Sequence, residues 1–229
     1  MLILADSGSG GTPATTRFAV NQIRTLLAGG RAVADDAGWT SEAFLRFDAG
    51  PVPLYLGAMS PRMLALAGEC ADGVLPLLYP PEHYPTAAEQ VLDGARAAGR
   101  DPDDIDLAAC IWVSVDRDEA RARRPLAEKI AYYGASFAPY LLHRAGLSAA
   151  DFEPIQAALR ADGIDGAVDL VTDRMLALGI AGTPEQVVAR SQGLIAMGAR
   201  HVSFGPPLGP DVLGAVDSLG REVLPALRG

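Results

Sequence analysis

The sequence predicts an α/β fold: a parallel sheet with helices outside it. Three observations carry this reading. Short apolar runs recur along the chain, a Gly- or Pro-rich turn follows each at once, and each turn opens a stretch with apolar residues at helical spacing. Strands buried on both faces read as continuous apolar runs, and parallel neighbours need a crossover helix between them. The Gly and Pro punctuation falls at the strands' C-terminal ends, which is the ligand face of such folds.

The elements follow in order. Leu2 to Ala5 is a short buried strand that runs into Ser7-Gly8-Ser9-Gly10-Gly11. Thr12-Pro13 offers a cap and a first-turn proline for a helix to about Ala28, stopped by Gly29-Gly30. Residues 31 to 50 read as an irregular connection. Val52 to Leu56 is the next strand, and Gly57-Ala58-Met59 leads to Ser60-Pro61, the same cap-and-proline start. Gly73 to Leu78 reads as one strand, His83 to Ala98 as a helix with His83 at its exposed start, and Ile105 to Val115 as a strand. Asp118 to Tyr133 is helical. Residues 136 to 178 hold no clear strand, with Glu153 to Arg160 and Asp165 to Leu178 the better helices. Thr183-Pro184 opens another helix, His201 to Phe204 is the fifth strand, Gly205 to Pro210 a rigid loop, and Asp211 to Leu227 the last helix.

Composition narrows the function. The chain has 229 residues, 49% of them hydrophobic and 21% charged, enough to bury a core without staples. A net charge of −9 argues against nucleic acid, which needs a basic face. Lys129 is the one lysine against 18 arginines. Cys70 and Cys110 form no CxxC and read as buried free thiols of a cytoplasmic protein. No run reaches the ~18 apolar residues of a membrane span, and the start has no basic segment before its apolar run, so a membrane partner and a signal peptide are not expected. His83, His143 and His201 form no HxH or HExxH, so no metal is expected. Glu69 and Asp72 flank a strand entry and read as structural.

Two turns invite a ligand. Ser7 to Gly11 lacks the lysine of a P-loop and fits a dinucleotide fingerprint only loosely; a plain turn serves as well. Gly57, Ala58, Met59, Ser60, Pro61 and Arg62 place small residues at a helix N-terminus, where backbone N–H groups favour an anion and Arg62 adds charge. A structural cap alone is the other reading.

The run Val52-Pro53-Leu54-Tyr55-Leu56-Gly57-Ala58-Met59-Ser60-Pro61-Arg62, followed by Ala67-Gly68-Glu69 and Ala71-Asp72-Gly73-Val74, resembles the bacterial luciferase-like monooxygenase superfamily. Gly182-Thr183-Pro184-Glu185 and Phe204 to Asp211 narrow the likeness to its coenzyme F420-dependent branch, the methylenetetrahydromethanopterin reductases among it. The resemblance runs from about residue 17 to the C-terminus. It implies a (β/α)8 barrel of which this chain, as a single luciferase-like domain over 1–229, carries the C-terminal five-eighths: about five parallel strands with outer helices, without the N-terminal barrel strands. It implies hydride transfer between F420 (FMN is the alternative) and a small organic substrate. The cofactor's phosphate side would lie on Gly57 to Arg62, with Ser7 and Gly8 lining it as well. No catalytic acid or base stands out. An opened barrel edge further implies a homo-oligomer contact, or cover by helices from residues 136 to 178. A truncated, non-catalytic cofactor-binding or partner subunit is the alternative.

Overall fold

The structure, a computed structural model, describes residues 2–5, 12–36 and 39–228. In chain order the strands are β1 (Leu2–Ala5), β2 (Ala32–Asp36), β3 (Trp39–Ala43), β4 (Leu54–Gly57), β5 (Gly73–Val74), β6 (Leu77–Leu78), β7 (Asp106–Val115), β8 (Ile180–Gly182) and β9 (His201–Leu208). The helices are α1 (Pro13–Leu27), α2 (Pro61–Cys70), α3 (Tyr84–Ala97), α4 (Glu119–Tyr133), α5 (Pro139–Arg144), α6 (Glu153–Ala161), α7 (Gly163–Val168), α8 (Asp173–Leu176), α9 (Pro184–Ala196), α10 (Val212–Ser218) and α11 (Leu224–Arg228). Internal contacts divide the chain into two compact units: residues 1–76 with 86–108, and residues 77–85 with 109–229.

In the first unit β1, β4, β5 and the start of β7 pair in parallel. Leu2 lies against Leu54 and Ala5 against Gly57, Tyr55 against Gly73, and Gly73 against Asp106. The core is aliphatic: Leu54, Leu56, Leu64, Leu66, Val74 and Val91 are all but closed to solvent. Two glycines let α2 and α3 meet backbone to backbone. A Cβ on Gly68 would stand 1.8 Å from the Val91 carbonyl oxygen, and one on Gly94 2.0 Å from that of Ala65. Arg100 closes the contact by donating to the Gly68 carbonyl at 2.6 Å.

In the second unit the rest of β7 takes β6 in parallel, Leu77 against Cys110, and takes β8 in parallel, Val113 against Ile180; β9 also pairs with β7. Its core is richer in rings. Tyr79 stacks on Phe137 at 4.2 Å between centroids, Trp112 tilts against Phe137 at 5.5 Å, and Leu126, Ile130 and Phe152 close around them.

The five strand positions read from the sequence are strands, and β1, β4, β5, β6 and β7 pair in parallel. Five local readings need correction. Residues 31 to 50 hold an antiparallel hairpin, β2 with β3, Ala32 against Ala43; Asp35 and Asp36, poor strand formers, hid it. The run 73–78 is two short strands, because Pro76 has no N–H to give a ladder. The three-residue β8 is too short to register as a pattern. The stretch from Asp165 to Leu178 is broken by Thr172, which caps α8 through its side chain. Finally, β9 continues through Gly205, Pro206 and Pro207 to Leu208, whose φ of +72° ends it.

Candidate functional site

Six of the eight predicted positions meet in the turn between β4 and α2. Gly57 closes β4, level with Ala5 of β1. Ala58 is buried, whereas Met59, Ser60, Pro61 and Arg62 are exposed. The chain turns here for local reasons. Ser60 keeps extended backbone, its Oγ accepts the Met63 N–H at 3.4 Å, and its carbonyl accepts the Leu64 N–H at 2.9 Å. Pro61 has no N–H to lose and a φ already set for a helix. Met63, Leu64, Leu66 and Ala67 then bury one face of α2.

Two outward donors result. The Arg62 N–H belongs to the first turn and has no acceptor within the helix. The Ser60 hydroxyl still has its proton to give while its oxygen accepts. No acidic residue stands in the first turn of α2, so the positive end of the helix is uncompensated. The Arg62 side chain lines a groove of about 530 Å3 with Pro13, Arg17, Ala65 and Glu69, and it makes no hydrogen bond or ion pair with a described residue. Its charge therefore acts on the turn at a distance. Ser7 and Gly8, the other two predicted positions, lie outside the described residues.

The far end of α2 is tied down by charge. Arg17 grips Glu69 with two bonds, Nε to Oε1 at 2.5 Å and Nη2 to Oε2 at 2.7 Å, and holds its carboxyl below the usual range. Burial pushes the Asp72 carboxyl up, but the Leu54 N–H at 2.8 Å and Arg24 at 2.7 Å outweigh it and the balance is a lowered pKa. Both acids are structural, as the sequence suggests. The Arg17–Glu69 side chains are about two-fifths exposed, so the pair contributes under ~1 kcal/mol.

Sequence reasoning missed three features. Tyr55 donates its hydroxyl to Asp106 Oδ2 at 2.5 Å; that bond, with burial, pushes the phenol up to about 12. The Gly68–Gly94 contact was announced only by isolated glycines inside helical patterns, a sign of close packing. His83 is not at an exposed helix start: it is 3% exposed, lies 6.2 Å from the Tyr140 ring, and neither ring nitrogen has a partner among the described residues. A short turn at Pro81–His83 precedes α3 and folds the ring inward. Burial, with the Arg144 charge beside it, pushes its pKa down. Cys70 and Cys110 are free and half-buried, and burial pushes both thiols up. Among the described residues, no group of three or more His, Cys, Asp or Glu side chains is placed to hold a metal, and no helix is long and apolar enough to cross a membrane.

Comparison with known proteins gives a consistent outcome. The chain is 37% identical over 214 residues to a 5,10-methylenetetrahydromethanopterin reductase of Methanolobus tindarius, covering 92% of this chain and 65% of the relative. It is 27% identical over 223 residues to an F420-dependent glucose-6-phosphate dehydrogenase of Nakamurella multipartita, covering 94% of this chain and 60% of that protein. The solved structure of the coenzyme F420-dependent tetrahydromethanopterin reductase of Methanopyrus kandleri superposes with a TM-score of 0.86 at 30% identity, over 95% of this chain and 64% of its own. The chain thus spans a little under two thirds of the length of these relatives, and it shares their α/β fold of parallel strands and surrounding helices. The family model for luciferase-like monooxygenases matches residues 11–201, so the strand, turn and capped helix around Ser60 sit inside the matched region, and the chain belongs to the luciferase-like monooxygenase family.

Proposed function

We propose that this chain serves an F420-dependent oxidoreductase that moves a hydride between the cofactor and a small organic substrate. The observation that carries the reading is the open, acid-free N-terminus of α2, in a chain similar to proteins named for F420. Two differently named activities among those relatives leave the substrate open, with a reduced pterin as the first to test.

The turn fits a phosphate. The Arg62 N–H and the Ser60 hydroxyl would hold its oxygens, Gly57 presents no side chain against it, and no carboxylate of the first turn opposes it. F420, a deazaflavin, carries the hydride when bound. The chain's part is to fix the cofactor's anionic end: Ser60 and Pro61 set the direction of the donors, and the buried face of α2 keeps them there. Arg62 adds a long-range attraction that salt weakens. With its two free cysteines the chain fits a reducing cytoplasm, and a second copy of itself is the proposed partner.

Titration of F420 and of FMN, followed by fluorescence, tests this. F420 should bind and FMN bind more weakly. Gly57→Val should abolish binding by filling the turn. Ser60→Ala should lose about 1 kcal/mol of affinity, or nearer 2 with a charged acceptor. Melting curves without ligand separate that loss from the cap's own contribution of about 1 kcal/mol to the fold. Equal binding by both variants and the parent would remove the turn from the site. Binding without turnover would favour a non-catalytic cofactor-binding subunit. Sedimentation as a monomer would remove the self-association.

A further inference from the structure

A groove of about 1170 Å3 opens in the first unit at the end of β4 away from the turn. Val52 and Pro53 run from it into β4, Asp72 leads from it toward β5, and Leu27 to Gly29 bring the C-terminal end of α1 to its side. Enzymes of parallel α/β architecture do their chemistry at the C-terminal ends of the strands, so a groove at the N-terminal ends is separate from the cofactor's turn.

The walls are apolar: Leu27, Leu45, Val52 and Pro53, with Phe47 standing 68% exposed among them. Its ring is open to water beside these apolar walls. The charged groups are four. Asp72 is taken up by Arg24 and by the Leu54 N–H. Asp48 accepts the Gly50 N–H at 2.9 Å through Oδ1 and keeps its other oxygen. Arg24 spends only Nη2, on Asp72 and on the Cys70 carbonyl at 3.0 Å, leaving its other N–H groups to give. Arg46 makes no hydrogen bond or ion pair with a described residue. The groove therefore offers two guanidiniums with spare donors beside one exposed ring. The remaining Asp48 oxygen opposes a second negative charge on whatever binds.

We propose that this groove binds a small flat apolar molecule carrying one anionic group, an aryl carboxylate or sulfonate. The ring packs on Phe47 and the anion takes N–H groups of Arg46 and Arg24. The guanidinium fork suits such an anion, and an aromatic body replaces the water now on Phe47.

The probe is 8-anilinonaphthalene-1-sulfonate, titrated by fluorescence, with the neutral N-phenyl-1-naphthylamine beside it. The parent should show one saturable site for the sulfonate and weaker binding of the neutral compound. Arg46→Gln should weaken the sulfonate about tenfold, the loss of one hydrogen bond to a charged group. Phe47→Ala should weaken it about fivefold, the loss of one ring contact. Both side chains are exposed, so melting curves should match the parent's. Leu213→Ala, at an 82% exposed leucine of the other unit, should leave the affinity unchanged. No saturable binding, parent-like affinity in both groove variants, loss of the site in Leu213→Ala, or equal affinity for the neutral compound would each overturn the proposal.

Discussion

Helices α2 and α9 begin with the same sequence device and end up with different electrostatics. Each follows a short strand, each has a hydroxyl residue as cap, and each has proline at its first position: Ser60-Pro61 and Thr183-Pro184. At α9 the chain answers its own helix end. The Gln186 side chain accepts the Thr183 N–H at 2.8 Å, the Thr183 hydroxyl accepts the Gln186 N–H, and Glu185 stands in the first turn. The Thr183 hydroxyl also holds the Glu185 carboxyl below its ordinary pKa. At α2 there is neither a Gln or Glu to complete the box nor an acid in the first turn. The positive end has no counter-charge in its own first turn. What makes a helix start a candidate anion site is thus the residue types missing behind the cap, more than the cap itself. Helix α1, with Thr12 as cap and no acid in its first turn, sides with α2.

The two helices also differ in how they are held, and the largest expected effect tests that. Gly68→Ala drives a methyl into the Val91 carbonyl and should cost about 3 kcal/mol by overpacking, measured by urea unfolding. A loss under ~1 kcal/mol would mean that α2 and α3 can part, and that the turn is not held as rigidly as their contact implies.

Next is Arg62→Glu, which gives α2 the acid that α9 already has. It should weaken F420 by about tenfold, a change on the order of 1.4 kcal/mol. It should also stabilise the helix by about 0.5 kcal/mol through the dipole. A fall in affinity without that gain would point to lost Arg62 charge alone; parent-like affinity would sink the electrostatic account of the turn.

A smaller effect is expected of Gly193→Ala, the counterpart in α9. A Cβ there meets nothing within 4 Å, so removing the glycine's backbone freedom should raise stability by about 0.5–1 kcal/mol. Destabilisation would mean that α9 is covered in solution, by a second copy for instance.

The smallest effect is one of pH, and it belongs to the unit that carries α9. His83 has its pKa pushed down by burial from the ordinary 6.5. Below that ordinary value the unfolded chain binds a proton that the folded chain does not. Stability should therefore fall as pH drops from about 6.5 toward 5, above the range where Glu69 and Asp72 begin to protonate. His83→Phe should flatten the slope in that window, read from chemical denaturation at several pH values. An unchanged slope would assign it to other groups.

Much of this was legible in the chain. The apolar runs and their turns located the five principal strands, because a short apolar run bounded by Gly and Pro favours a strand over a helix. The pairs Thr12-Pro13, Ser60-Pro61 and Thr183-Pro184 located three helix starts, because cap and proline act within four residues of themselves. Residues 57–62 were legible as a helix start with open N–H groups for the same reason, since the donors are backbone groups whose exposure follows from the local turn.

Other features depended on partners distant in sequence. Gly68 and Gly94 look like ordinary helix glycines until the helices cross. Tyr55 meets Asp106 only because β5 stands level with both, Gly73 leaving room for the ring. The hairpin at 32–43 forms against the propensity of its aspartates. His83 went from an exposed helix start to an orphaned ring because of what α5 brings beside it, and the groove at Arg46 and Phe47 exists only where α1 and the entry to β4 come together. Local backbone chemistry acts over a few residues and is written in sequence. Burial, close approach and the pairing of charges are set by which segments become neighbours, and that was decided by the tertiary structure alone.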